Sequence, residues 1–129
     1  MTLIDLFAGC GGLSLGLERA GFKPIYVNEL NPDALETYFV NREEFSYLRD
    51  PKFHSHDIKD CIKNKKFFSQ LKSDFLKQHG SSEIDLICGG PPCQGYSGIG
   101  HRKTNFVEKY KLPSNYLYKD MAIFIRKLK

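Results

Sequence analysis

Thr2-Leu3-Ile4-Asp5-Leu6-Phe7-Ala8-Gly9-Cys10-Gly11-Gly12 is the stretch on which the reading of this chain turns. Thr2 to Leu6 is a short, mostly apolar run of strand type that passes straight into a glycine-rich loop. Beyond the loop, Leu13, Leu17 and Ala20 recur at helical spacing until Gly21 stops the helix. Strand, glycine loop and helix open an α/β nucleotide-binding unit. The glycines let backbone approach a ligand, and the helix N-terminus offers N–H groups without intrahelical partners. The loop departs from the dinucleotide fingerprint Gly-x-Gly-x-x-Gly, since Ser14 stands where the third glycine belongs.

The next unit repeats the pattern. Pro24 to Val27 reads as a strand, and Glu29 follows it at the position where doubly wound folds place an acid for ribose hydroxyls. A second role is open to Glu29, helping to start the next helix, for which Asn31 is the expected N-cap and Pro32 the first residue. Leu35, Tyr38 and Phe39 give that helix its buried face, and Arg42 to Lys52 reads as a polar loop with room for a broken helical turn. Phe53 to His56 is a weak third strand, followed by Asp57-Ile58 at its C-terminal end. His54 and His56 share one strand face but have no third ligand nearby, so they read as edge-strand histidines rather than a metal site. A helix bearing Phe67, Phe68, Leu71 and Phe75 on one face closes at Gly80, and Ile84 to Cys88 forms a fourth strand in which Cys88 is expected to be buried and inert. Alternating strands and helices specify an α/β fold with a doubly wound, mainly parallel sheet.

Composition narrows the class. At 129 residues, with 41% apolar and 26% charged residues, the chain is of ordinary globular make-up and long enough for one domain or part of one. It has no apolar run of membrane-spanning length and no signal-peptide pattern at Met1, so a cytoplasmic protein is expected. Cys10, Cys61, Cys88 and Cys93 show neither Cys-x-x-Cys spacing nor the density of a disulfide scaffold, so reduced thiols and no metal are expected. The net charge of +4 is uneven: residues 101 to 129 carry eight Lys and Arg against two Asp and Glu, while residues 1 to 100 carry 11 against 13. Such a block is a solvated helix face or the start of a phosphate-binding surface.

After the fourth strand comes Gly89-Gly90-Pro91-Pro92-Cys93-Gln94-Gly95-Tyr96-Ser97-Gly98, a stiff turn that presents one thiol. With the fourth strand beside the first, as in the common doubly wound order, the loops after them are expected to diverge at the switch point of the sheet, and Cys93 is expected to face the glycine loop across a crevice. Asp5 to Gly12, Asn28-Glu29, Asp57-Ile58 and Gly90 to Ser97, in that order, resemble the cytosine-5 DNA methyltransferases. The resemblance covers essentially the whole chain but only the first part of the family's catalytic domain. It implies a Rossmann-like, S-adenosylmethionine-dependent methyltransferase fold, incomplete at about four strands.

By that resemblance, Phe7, Ala8, Gly9, Cys10, Gly11 and Gly12 line the S-adenosylmethionine site. Glu29 meets the ribose, Leu30 packs on the adenine, Asp57 takes its amino group with Ile58 beside it, and Gly90 and Pro92 close the methionine side. Leu117, in the next helix, touches the cofactor. Cys93 is the nucleophile, and Gln94 and Ser97 help to hold the target strand of double-stranded DNA. A thiol suits this chemistry because adding it to C6 of cytosine makes C5 able to attack a sulfonium methyl group. The base must leave the duplex to reach such a thiol.

The family's Glu-Asn-Val strand, its arginine-bearing motif, its target recognition domain and its C-terminal helix are absent from these residues, and Ser114 stands where many members carry an Arg. Leu117, Met121, Phe124 and Leu128 remain in helical register to the end, and the apolar fourth strand lies at a sheet edge unless another strand covers it. The expectation is the N-terminal portion of a catalytic domain, inactive alone and completed within a longer protein or by a second polypeptide. Alternatives are a cofactor-binding remnant or interaction subunit, a dinucleotide-dependent oxidoreductase that leaves the Pro-Pro-Cys-Gln turn without a role, and an RNA substrate within the same family.

Overall fold

In the computed structural model, described for residues 1–92 and 113–129, the sheet is parallel and its strand order is β3-β2-β1-β4. The strands are β1 (Thr2–Leu6), β2 (Lys23–Asn28), β3 (His54–Ser55) and β4 (Leu86–Gly89). Between them lie α1 (Gly12–Arg19), α2 (Pro32–Val40), 3₁₀ turns over Glu43–Arg49 broken at Phe45, α3 (Ile58–Lys63) and α4 (Phe67–His79). A 3₁₀ turn at Pro113–Tyr116 leads into α5 (Leu117–Leu128). The expected doubly wound α/β class holds, with β4 beside β1 and β3 at the far edge.

Alternation along the strands assigns the two sheet faces. Asp5 and Cys88 are register partners, and on their face Ser14 of α1 donates to Asp5. Ile4 and Tyr26 are partners on the other face, where Phe124 of α5 and Phe67 at the start of α4 pack against Tyr26, ring centroids 6.2 and 6.1 Å away. Phe124 also meets Phe68 edge-on at 5.1 Å, so the aromatic stripe of α4 and the apolar face of α5 form one core layer. Close packing at a strand end is explicit at Gly89. A Cβ there would lie 2.3 Å from the Leu6 carbonyl oxygen, so only glycine fits beside β1.

Several expectations need correction. Leu13 is 53% exposed and Ala20 is also exposed, because α1 turns Ser14, fully buried, toward the sheet to meet Asp5. Leu17 is half-buried. Cys88 is half-buried rather than buried, since β4 is an outer strand among the described residues. The third strand shrinks to His54–Ser55, the fourth shifts to Leu86–Gly89, and α3 appears where no helix was expected. Helix α3 starts because the Asp57 side chain accepts the Lys59 N–H at 2.8 Å, a local N-cap that hydrophobic periodicity does not reveal. The expected caps elsewhere are found: Asn31 accepts from the N–H groups of Asp33 and Ala34, and Gly80 closes α4 in the left-handed region at φ 74°.

Candidate cofactor site

The chain leaves β1 in a left-handed turn. Phe7 has a φ of 57°, a conformation that side chains other than glycine rarely adopt and one found most often at functional sites. The loop that follows is pinned bond by bond. Ala8 N–H donates to the Asn28 carbonyl at 3.0 Å, Gly9 N–H to Glu29 Oε2 at 2.8 Å, and Gly11 N–H to the Ala8 carbonyl at 2.9 Å. Glu29 Oε1 accepts the Asn31 N–H at 2.8 Å, so this carboxylate joins the glycine loop to the start of α2. Of the two roles foreseen for Glu29, the one at the helix entry is seen in the Asn31 bond, and the same side chain also holds the glycine loop through Gly9.

Asn28 ties in the third strand. Its Nδ2 donates to Ser55 Oγ at 2.9 Å and to the His56 carbonyl at 2.9 Å, while Glu29 N–H donates to the Ser55 carbonyl at 3.0 Å. These bonds hold the end of β3 beside Asn28 and Glu29, and Asp57 and Ile58, which follow, line the same cavity as Glu29 and Leu30. Where the strands end, a cavity of about 460 Å³ opens, lined by Phe7, Asn28, Glu29, Leu30, Asn31, Pro32, His56, Asp57, Ile58, Gly90, Pro92 and Leu117. Two other hollows, one between Pro51 and α4 and one beside β4, contain none of the loop residues that follow the strands. The strand-end cavity is the candidate site because open α/β sheets bind ligands beyond the carboxyl ends of their strands.

Phe7, Glu29, Leu30, Asp57, Ile58, Gly90, Pro92 and Leu117, each expected at a cofactor, share this one cavity. Ala8, Gly9, Cys10 and Gly11 form the adjoining loop and Gly12 opens α1, and none of the five lines the wall. Cys93, Gln94 and Ser97 lie outside the described residues. Asn28, Asn31, Pro32 and His56 also line the cavity and were not anticipated. Asn28, Asn31 and His56 each adjoin an expected residue and Pro32 follows Asn31, and the strand-end bonds of Asn28 and Glu29 that draw these segments together carry no sequence signal.

The lining suits an adenosine-type ligand. Leu30, 68% exposed, and Ile58, 2% exposed, supply apolar surface for a flat base, while Glu29 and Asp57 supply acceptors. A carboxylate oxygen has two lone pairs, so Glu29 and Asp57 keep acceptor capacity beyond their backbone partners. The volume falls in the range of roughly 300–1,000 Å³ typical of small-molecule sites.

Behind the loop lies a buried polar cluster. Tyr38 hydroxyl donates to Ser14 Oγ at 3.1 Å, Ser14 donates to Asp5 Oδ2, and Cys88 Sγ lies 3.5 Å from Asp5 Oδ1. Burial raises the Asp5 carboxyl above its ordinary value against the opposing pull of its hydrogen bonds to Ser14 and Cys88. Burial and the adjacent Asp5 push the Cys88 thiol up to about 12, which keeps it protonated and unsuited to nucleophilic attack. Among the described residues no group of three or more His, Cys, Asp or Glu side chains could hold a metal ion, and no helix is long and apolar enough to cross a membrane.

A putative DNA modification methyltransferase encoded within an E. coli prophage superposes with a TM-score of 0.53 at 33% identity, covering 79% of this chain and 26% of that one. The molecule thus has the Rossmann-like methyltransferase fold. The family model for C-5 cytosine-specific DNA methylases matches residues 1–129, and the chain belongs to that family. It is 34% identical over its whole length to the type II methyltransferase M1.HphI of Haemophilus parahaemolyticus, and 33% identical over 98% of its length to M.DdeI of Desulfomicrobium norvegicum. It is also 31% identical over 91% of its length to the DNA (cytosine-5)-methyltransferase PliMCI of Paracentrotus lividus. The chain spans 29%, 25% and 7% of the lengths of these three relatives.

Proposed function

We propose that this chain supplies the S-adenosylmethionine pocket and the nucleophile-bearing turn of an enzyme that methylates C5 of cytosine in DNA. The observation that carries the reading is the convergence of Glu29, Leu30, Asp57, Ile58 and Leu117 on one strand-end cavity beside the glycine loop. In this reading Glu29 accepts from the ribose hydroxyls, Asp57 accepts from the adenine amino group, and Leu30 and Ile58 hold the ring between them. Phe7, Gly90 and Pro92 shape the methionine side. S-adenosylmethionine, when bound, supplies an electrophilic sulfonium methyl group.

The Cys93 thiolate adds to C6 of a flipped-out cytosine, and the electron pair displaced onto C5 takes the methyl group. Loss of the C5 proton then restores the ring and expels the thiolate. Gln94 and Ser97 hold the target strand. The chain spans 29% of M1.HphI, and in this reading the transfer also draws on residues beyond these 129, in a longer protein or a second polypeptide. In this reading the 129-residue chain by itself transfers no methyl group.

Calorimetric titration of the chain with S-adenosylmethionine tests the pocket, and saturable one-to-one binding is expected. Covalent capture of Cys93 by DNA containing 5-fluorocytosine, after addition of a polypeptide carrying the family's Glu-Asn-Val strand, tests the nucleophile. No detectable cofactor binding at millimolar concentration would overturn the pocket assignment. Binding without capture would identify a cofactor-binding remnant, and radiolabel transfer by the chain alone would refute its dependence on further residues.

A further inference from the structure

Arg42 is a cation with 3% of its side chain exposed, placed just after α2 in a stretch whose sequence reads as polar loop. Burying an isolated cation is strongly unfavourable, so its partners show what it is for. Nε donates to Glu18 Oε1 at 2.6 Å, which neutralises the charge. The other two nitrogens donate to backbone carbonyls, Nη1 to that of Tyr38 at 3.3 Å and Nη2 to that of Gly11 at 2.7 Å. The guanidinium also stacks on the Tyr38 ring, 3.9 Å from its centroid.

Gly11 is the other half of the arrangement. Its φ is 87°, and a Cβ there would lie 2.5 Å from Arg42 Nη1 and 2.6 Å from Tyr38 Cδ2. The guanidinium and the ring thus occupy the space a side chain would need. The carbonyl that Arg42 grips also accepts the Leu15 N–H at 3.0 Å, within the first turn of α1. The end of β2 holds the front of the loop through Ala8 and Gly9, and Arg42 holds the back.

We infer that Arg42 is a positioning residue for the cofactor site, fixing the Gly11 carbonyl and through it the glycine loop and the first turn of α1. The inference rests on the cofactor-binding reading given above. Lysine cannot replace the planar fork, because a single ammonium cannot span acceptors on α1, α2 and the loop together.

The test compares the full chain with Arg42→Lys and with the double variant Arg42→Met, Glu18→Gln, which removes both charges at nearly constant volume. Two readouts are taken: S-adenosylmethionine affinity by calorimetry, and amide hydrogen exchange by NMR in the cofactor-free chain. Arg42→Lys is expected to keep the wild-type fold by far-UV circular dichroism and to bind roughly tenfold more weakly. Exchange should accelerate at Gly9 to Leu15 and stay at wild-type rates in α4. The double variant should show the same local acceleration, and it decides the matter if Arg42→Lys does not fold. Wild-type affinity and loop exchange in a folded variant would overturn the inference, as would acceleration spread evenly into α4. A wild-type chain that binds no S-adenosylmethionine would instead overturn the cofactor reading, while the exchange measurement still decides whether Arg42 holds the loop.

Discussion

Gly9 donates its backbone N–H to Glu29 Oε2 at 2.8 Å, so the loop after the first strand is held by the acid at the end of the second. The other oxygen of the same carboxylate takes the Asn31 N–H. Replacing Glu29 by Gln turns one acceptor into an NH₂ donor facing an N–H group. Glu29→Gln should therefore cost about 1–3 kcal/mol of stability. Calorimetry should show S-adenosylmethionine binding weakened by one to two orders of magnitude, roughly what the loss of one charged hydrogen bond produces.

Asp57 caps α3 and also faces the cavity, and two substitutions separate these roles. Asparagine is as good an N-cap as aspartate, but in capping it turns its NH₂ toward the place assigned to the adenine amino group. Asp57→Asn should melt within a few degrees of wild type yet lose most cofactor affinity. Asp57→Ala should lose that affinity and about 1 kcal/mol of stability as well. Urea denaturation alongside titration distinguishes the two, and equal binding by Asp57→Asn and wild type would contradict the adenine contact.

Gly89→Ala places a methyl group against the Leu6 carbonyl, backbone against which no rotamer change gives relief. Overpacking of this kind typically costs about 1–3 kcal/mol. The value should come from the midpoint of a denaturant titration with an unchanged slope. Gly90→Ala, where a Cβ meets none of the described residues within 4 Å, should leave the midpoint near wild type and serves as the control.

His79 ends α4 within a ring cage, its centroid 5.0 Å from Tyr47, 6.1 Å from Phe53 and 6.3 Å from Phe75. Burial lowers its proton affinity below the ordinary 6.5. Above that value His79 is neutral in both folded and unfolded chains. As pH falls below it, the unfolded chain takes the proton first, so stability drops. Melting followed from pH 7.5 downward should show this decline, and His79→Phe should flatten it. An unaltered slope in that variant would assign the decline to other groups.

The fold was legible because β1, β2 and β4 are largely apolar runs closed or soon followed by a glycine or an asparagine, where α/β sheets bind ligands, whereas the two-residue β3 left only a weak signal. Glu29 and Asp57 were legible as acids at strand ends and Leu117 only through the family resemblance, and the strand order β3-β2-β1-β4 brings the first two to one cavity, which Leu117 of α5 also lines. Features set by tertiary pairing of polar groups were not legible. The α1 face toward the sheet carries Ser14 because Asp5 awaits it there, so apolar spacing pointed to Leu13, which is exposed. Arg42 sits among charged residues in sequence and is buried only because Glu18 and the Gly11 carbonyl receive it. Helix α3, six residues long and started by a side-chain cap, is too short for periodicity to register.

The cavity takes its wall from five separated places, from Phe7 after β1 to Leu117 at the start of α5. Contacts so distant in sequence form late in folding, after the costs of closing long loops have been met. A molecule seated there acts as a reversible cross-link between the two ends of the chain, resisting unfolding in proportion to the logarithm of its concentration. Occupancy of the pocket and survival of the fold are then two readings of a single equilibrium.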